Sequence, residues 1–362
     1  MTRLIVAAGG GGDAVAAVMV DGALYGDEGP GVVLTYAWDR LVVDPVAGPR
    51  GAGGFRGLGV VTPHVYEVGA GSEVVGAGGS VLPRLAGEVG QMLVLMDPGQ
   101  GVLGMTRQLE ELVERLGPES VDLLDVGGDV LARGDEPGLR SPLGDALALA
   151  ACRRVNAEVR LLVAGPGLDG ELSAGELRGV LGRNVVTLTE EDVGRVGGVL
   201  EWHPSEATGM LAATARGIRG LCEIRDAGLA VPLTDEGPTV HEVDLEEAFA
   251  RNQLARAVAE TATLAEAEER SREVCGFSEI DYERAKAARL GAEPLVGFDP
   301  EDVLRRVARF ERRARERRIS YTTFRHLAEV VGVRGGRREE FRALLLERHP
   351  EQYAAPLWRI PL

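Results

Sequence analysis

The sequence predicts an α/β fold, a mainly parallel, doubly wound sheet followed by a helical C-terminal region. One pattern carries most of this reading: an apolar run ends in a Gly/Asp turn and passes into a helix-like segment, several times over. Short apolar runs alternating with longer helical patterns are the signature of βα units, whose crossovers are right-handed. Composition agrees. Of 362 residues 45% are hydrophobic but only 4% aromatic, and 50 are glycine. Val, Leu and Ala must therefore fill the core, which suits strands buried on both faces and the helices that cover them.

The units follow in order. Residues 4–8 lead into Gly9, Gly10, Gly11, Gly12 and Asp13, then a helix over 14–20. Residues 92–96 lead into Asp97-Pro98-Gly99-Gln100-Gly101 and a helix over 102–116. Residues 121–124 lead into Asp125-Val126-Gly127-Gly128-Asp129, after which Ser141-Pro142 opens a helix over 143–155. Residues 159–164 lead into Gly165-Pro166-Gly167-Leu168-Asp169 and a polar helix near 174–181. The Gly-rich stretch 29–90 predicts strands near 32–36, 41–43 and 60–61, and a helix from Ser80. Trp202-His203-Pro204-Ser205, approached by a strand, opens a helix over 206–216, and a hairpin pairs 221–225 with 230–233. Residues 244–274 read as acidic helix and 281–289 as a charged, solvated one. Helices over 301–318, 320–331 and 337–347 follow, the last two separated by Arg334-Gly335-Gly336. The expected division is an α/β ligand-binding domain at 1–245, a helical segment packing on it at 246–297, and an arginine-rich helical region at 298–362.

Charge and residue usage exclude several functions. The net charge is −16, which argues against nucleic-acid or anionic-membrane binding. Arginines in 301–318 are interrupted by acids, so a docking or solvated helix is preferred to a helix-turn-helix reader. Lys286 is the only lysine, and its charged surroundings fit neither a P-loop ATP site nor a pyridoxal phosphate site. Cys152, Cys222 and Cys275 form no CxxC pair, so neither a zinc knuckle nor a redox pair is expected and a reducing cytoplasm is. No signal peptide and no membrane span is read.

Carboxylates at strand ends are the leading site residues. Open α/β sheets bind ligands in the crevice outside the carboxyl ends of their strands. The Gly9–Gly12 amides would approach a ligand closely, with Asp13 as helix cap or ligand contact. Asp125 and Asp129, with Gly127, Gly128, the nearby Gly134-Asp135-Glu136, and Asp145, form the densest acidic cluster, flanked by Arg133 and Arg140. Such acids hold Mg²⁺ or Ca²⁺, bind sugar hydroxyls, or divide into acid and base. Asp97 repeats the pattern, with Arg107 a turn or two into the following helix. His203 is the expected proton-transfer group because imidazole titrates near neutrality; His64 and His241 are weaker candidates. Without a G-x-S-x-G elbow, a Ser-His-Asp triad is disfavoured.

With the Gly9–Asp13 and Asp125–Asp129 turns, Ser141-Pro142-Leu143-Gly144-Asp145, and His203-Pro204-Ser205-Glu206, the chain resembles the domain-of-unknown-function family 1152 over residues 1–290. The resemblance implies a Rossmann-like α/β fold in bacteria and archaea and brings no reaction with it. The strand-end acids are also similar to those that hold Ca²⁺ in nucleoside hydrolases, although the DxDxxxDD spacing is absent. The expectation is an enzyme, a hydrolase or lyase, acting on a sugar, nucleoside or sugar phosphate by hydrolysis, elimination or isomerisation. His203, Asp125 and Asp129 are its catalytic residues, with Asp125 and Asp129 as metal ligands. Gly9, Gly10, Gly11, Gly12, Asp13, Asp97, Gly127, Gly128, Arg140, Asp145 and Glu206 bind the ligand. A homo-oligomer is compatible with this. The competing reading is a non-catalytic ligand-binding or regulatory protein with a helical partner surface.

Overall fold

A computed structural model of the chain describes residues 2–26, 29, 31–225, 228–292, 298–333 and 335–361. Arg334 of the expected turn, and the expected boundary at 297, fall outside these residues.

A nine-stranded mixed sheet organises the molecule. Its order is Asn184–Thr187, Thr239–Val243, Val159–Ala164, Val121–Val126, Leu4–Ala7, Val32–Thr35, Met92–Leu95, Val65–Glu67, Gly59–Thr62. The five strands from Val159–Ala164 to Met92–Leu95 are parallel. The outer pairs at both edges run antiparallel. The turns after Leu4–Ala7, Met92–Leu95, Val121–Val126 and Val159–Ala164 therefore lie on one edge of the sheet, as the recurrent pattern requires. Chain direction across the sheet reverses beside Leu4–Ala7: successive parallel strands first add on one side, then Val121–Val126 adds on the other.

Alternation along each strand feeds two cores. Leu4, Val6, Leu34, Leu123 and Leu161 face helices Gly101–Leu116, Pro142–Arg154 and Gln253–Val258. Ile5, Ala7, Val33, Leu124 and Leu162 face Gly11–Tyr25, Leu82–Glu88 and Glu206–Ala215. Both faces of the central strands are thus dry, which is why a run such as Leu4–Ala7 is buried at every position.

Some local expectations change. Residues 41–43 form a turn, with the Val43 and Asp44 amides donating to the Arg40 carbonyl at 2.7 and 3.0 Å. A 3₁₀ turn, Val199–Glu201, precedes His203 in place of a strand. The acidic stretch after 244 breaks into Leu245–Arg251, Gln253–Val258 and Leu264–Cys275. Asn252 makes the first break: its side chain caps the second helix at Ala255 N, 2.8 Å, and donates to the Val130 carbonyl, 3.0 Å.

The C-terminal region is not purely helical. Strands Tyr321–Thr322, Tyr353–Ala354 and Leu357–Arg359 join the hairpin Gly220–Ile224/Leu229–Leu233 in a five-stranded sheet. Helices Pro300–Glu316, Phe324–Val330 and Arg338–Arg348 close a third core around Phe341 and Trp358. The hairpin expected to belong to 1–245 thus completes the C-terminal sheet. Glu223 receives Arg317 at 2.5 and 2.8 Å, and its carbonyl accepts from Thr322 Oγ1 at 2.9 Å.

Gly127 has φ +119°, and a Cβ there would collide with the Asp169 carboxyl. Backbone in that region strains any other residue. Gly127→Ala is expected to lower unfolding free energy by about 2 kcal/mol or more. Urea denaturation followed by circular dichroism checks this; an unchanged midpoint would show that the 127–129 turn relaxes freely.

Candidate functional site

The first turn is built by close packing. The helix Gly11–Tyr25 starts three residues before the expected 14–20 segment, with Gly11 and Gly12 inside it. A Cβ on Gly10 would come within 2.6 Å of the Trp38 carbonyl oxygen, and one on Gly11 within 2.8 Å of Val81. Asp13 is not the cap. It sits in the first helical turn and reaches back to accept from Gly9 N at 2.9 Å. The amides of Gly10, Gly11 and Gly12 have no acceptor among the described residues.

Around this turn the sheet edge gathers acids. Asp125, 1% exposed, is the penultimate residue of Val121–Val126, and Asp129 opens the 3₁₀ turn after it. Asp145, 4% exposed, lies in the first turn of Pro142–Arg154. Oxygens of Asp13, Asp125 and Asp145 lie within 4.8 Å of one another, and Asp129, Asp169 and Glu171 make a second such group. In that second group Glu171 is already committed. It accepts from Arg140 N at 2.6 Å, Ser141 N at 3.0 Å, the Ser141 hydroxyl, and Arg225 at 2.9 Å. In contrast, Asp125 Oδ2, Asp145 Oδ1 and Asp169 Oδ2 are buried with no hydrogen-bond partner.

Burying several carboxylates side by side favours their neutral forms, by desolvation and by mutual repulsion. Burial, then Asp125, pushes Asp13 up to about 8. Burial pushes Asp125 up to about 6, against hydrogen bonds from Asp129 and backbone. Burial with neighbouring acids holds Asp129, Asp145 and Asp169 well above the usual carboxylate range. Glu171 goes the other way despite its burial, because Arg225 and Ser141 stabilise its charge.

The structure separates the other expected residues. Asp97 serves its own turn, accepting from Gly99 N at 2.8 Å and Ala52 N at 2.7 Å. Arg140 is exposed and gives its guanidinium to the Pro137 and Leu139 carbonyls. Arg107 lies at the surface beside Gln100. Glu206 is buried, accepts from Thr323 Oγ1 at 2.6 Å and pairs with Arg325, so it fastens the C-terminal region. Gly127 and Gly128 make room for Asp169 and Leu177. Glu136 ties its own turn through Arg133 N and Gly134 N. His64 pairs with Glu111 at 2.6 Å, and His241 lies beside Thr239 and Gly182.

His203 differs from expectation in its protonation. Burial, then Arg338 and Arg40, lowers it to about 3, so the ring is neutral near pH 7. Its Nδ1 accepts from Ser205 N at 3.3 Å, which leaves the proton on Nε2. That nitrogen is buried, unpartnered, and 3.8 Å from where a Gly11 Cβ would stand. It is a hydrogen-bond donor beside the glycine turn. No hydrogen bond or ion pair joins it to Asp125 or Asp129 among the described residues.

Sequence reasoning missed Arg40, Asp169, Glu171, Arg225, Glu279 and Glu283. The helix Glu279–Ala292, expected to be solvated, buries Glu279, Ile280 and Glu283. Glu279 accepts from Leu143 N at 3.3 Å, and Glu283 from Trp38 Nε1 and Gly48 N. The i, i+4 pair Glu279/Glu283, on one helix face with Ile280 beside it, was the available signal. Arg40 is exposed, makes no side-chain hydrogen bond among the described residues, and acts electrostatically on Asp13, Glu279 and His203.

Fold and site together define an α/β protein with a buried acidic cluster at the reversal of its sheet order. The chain belongs to the family described as protein of unknown function (DUF1152), whose model matches residues 4–287. No curated protein and no solved structure matches it.

A raised carboxylate pKa makes the folded state bind protons more tightly than the unfolded state. This contribution to stability is full below about pH 4 and is lost as pH rises through about 6 for Asp125 and about 8 for Asp13. In chelator, the melting temperature should therefore fall between pH 5 and 8.5, and Asp145→Asn should flatten the fall. Scanning calorimetry across that range checks both; a flat wild-type profile would mean that the carboxylates are not desolvated.

Proposed function

We propose that this protein is an enzyme acting on a polar small metabolite, a sugar, nucleoside or sugar phosphate, in a Rossmann-like crevice that holds a divalent cation. Counting parallel strands in chain order, the sheet runs 3-2-1-4-5, and doubly wound sheets bind ligands where that order reverses. The observation that carries the reading is the Asp13–Asp125–Asp145 group, with oxygens within 4.8 Å and two of them buried and unpartnered. Hard carboxylate oxygens suit Mg²⁺ or Ca²⁺, and a cation would replace the protons that burial imposes. Three ligands leave positions for water and substrate oxygen, which the ion would polarise and orient. Hydrolysis is the reaction this favours.

The chain's own residues supply the rest. Asp129, whose hold on its proton is raised by burial, Asp145 and Asp125, would serve as the acid that protonates a leaving group. His203 contributes a neutral Nε2–H donor. The free Gly10–Gly12 amides and exposed Arg40 favour negative charge on the substrate side of the crevice. Three free cysteines suit a reducing cytoplasm. A non-catalytic ligand-binding role is the alternative that turnover assays decide.

Millimolar Mg²⁺ or Ca²⁺ is expected to raise the melting temperature, since an ion at a hundred times its Kd stabilises by about 2.7 kcal/mol. Asp125→Asn should abolish that rise and any metal-dependent turnover in a pooled metabolite extract. Isothermal calorimetry in two buffers of different ionisation heat should show proton release on binding. No binding of either ion at 10 mM would sink the cation reading.

A second test concerns His203. His203→Phe fills the same space without a donor and should cut turnover at least tenfold with little change in metal affinity. Equal losses in stability and activity would mark it as structural only.

A further inference from the structure

A cavity of about 70 Å³ lies between the start of the helix Glu206–Ala215 and the C-terminal region. It is separate from the carboxylate group, though close behind the glycine turn: Thr208, which lines it, donates its hydroxyl to the Gly12 carbonyl at 2.8 Å. A space of this size exceeds what one water needs and matches a small tetrahedral anion. Half of its lining residues, Arg325, Arg338 and Arg342 among them, lie beyond the family match.

The charges around it are unequal in their partners. Arg342 pairs with Glu201 and Tyr353 and stacks on Phe324 at 4.1 Å. Arg325 pairs with Glu206 at 3.5 Å and Glu329 at 3.1 Å. The lining acids Glu201 and Glu339 are engaged with Arg342 and with Arg84. Arg338 is different. Its guanidinium makes no hydrogen bond among the described residues, and its Nε is buried. Burial and the neighbouring Arg325 disfavour its charge, more than Glu339 and Glu329 nearby favour it. A buried Nε without an acceptor is costly, and the residue as a whole is half-buried. Arginine's planar fork is built to bind phosphate or carboxylate oxygens in pairs.

We propose that this cavity is an oxyanion site for a phosphate group, with Arg338 as its principal ligand and Arg325 and Arg342 adding positive field. It does not depend on the cation reading, because none of Asp13, Asp125 and Asp145 lines it, although His203, the donor beside the glycine turn, does. The phosphate belongs either to free inorganic phosphate or to a phosphorylated metabolite, and the two sources share this chemistry.

The test uses the full chain with inorganic phosphate as probe, in chelator so that the carboxylate group is metal-free. Wild-type protein should bind phosphate saturably at millimolar concentration or tighter, by calorimetry and by a rise in melting temperature. Arg338→Met should weaken binding at least tenfold while leaving the phosphate-free melting temperature unchanged or higher, since a half-buried cation without a hydrogen-bond partner is removed. Arg338→Lys should restore part of the affinity. Arg305→Gln, at an exposed helix position, should change nothing. A sugar phosphate that competes with inorganic phosphate supports a substrate subsite. Inorganic phosphate that binds without such competition supports an effector site. The proposal is overturned if wild type shows no saturable binding, if Arg338→Met binds as well as wild type, or if that variant loses stability in phosphate-free buffer, which would show Arg338 to be structural. Loss of metal binding with phosphate binding intact would sink the cation reading alone.

Discussion

Crowding of carboxylates at the edge of a dry sheet is the constraint on which the rest of the molecule depends. Asp125 stands at the end of a strand whose neighbours on both faces are Val, Leu and Ala, so water cannot solvate it. Three strand positions earlier, Asp122 meets the same burial but is answered by Arg160 at 2.7 and 2.8 Å and by Tyr25 at 2.7 Å. At the carboxyl end the nearest cations are spent or distant: Arg225 is committed to Glu171, and Arg40 is exposed. The same strand thus carries one satisfied aspartate and one that is not. That contrast sets an aspartate satisfied by its surroundings apart from one left without a partner.

Much of the scaffold follows as a means of holding these acids in place. Glu171 fixes the start of Pro142–Arg154 through Arg140 N and Ser141, which sets where Asp145 lies. Glu279 accepts from Leu143 N in the same helix turn. Gly127, with its positive φ, lets the Asp169 loop close against the Asp125 turn. Each contact adds negative charge or strain to a region already short of cations. Such an arrangement lowers stability unless something compensates, as functional sites commonly do.

The fold was legible where elements are long and periodic. The βα recurrence located the central parallel strands and the edge on which their turns gather, because a strand buried on both faces is an uninterrupted apolar run. It also located Asp13, Asp125 and Asp145 at that edge. What it missed has physical causes. The C-terminal sheet uses strands of two or three residues, such as Tyr321–Thr322, too short to show a period of two. The helix at 281–289 looked solvated because its charges are dense, yet Glu279 and Glu283 turn inward to cap a helix and hold Trp38. Glycines 127 and 128 were read as giving a ligand access, whereas their neighbours are protein atoms. Sequence records that glycine is needed and not what approaches it.

His203 shows how environment redirects a residue that sequence identified. An imidazole in water titrates near neutrality and suggests proton transfer. Packed between the glycine turn and Arg338, with Nδ1 filled by the Ser205 amide, it cannot accept a proton without setting a buried cation beside Arg338. The geometry therefore turns it from a base into a fixed donor. Arg338 poses the complementary case. It is a cation that the surrounding chain leaves without an acceptor, in a cavity that holds none of the crowded acids. The chain keeps the two apart, although pairing them would give each a partner. Unpartnered carboxyls in one place and an unpartnered guanidinium in another are what a site requires if it is to receive a cation in one and an anion in the other.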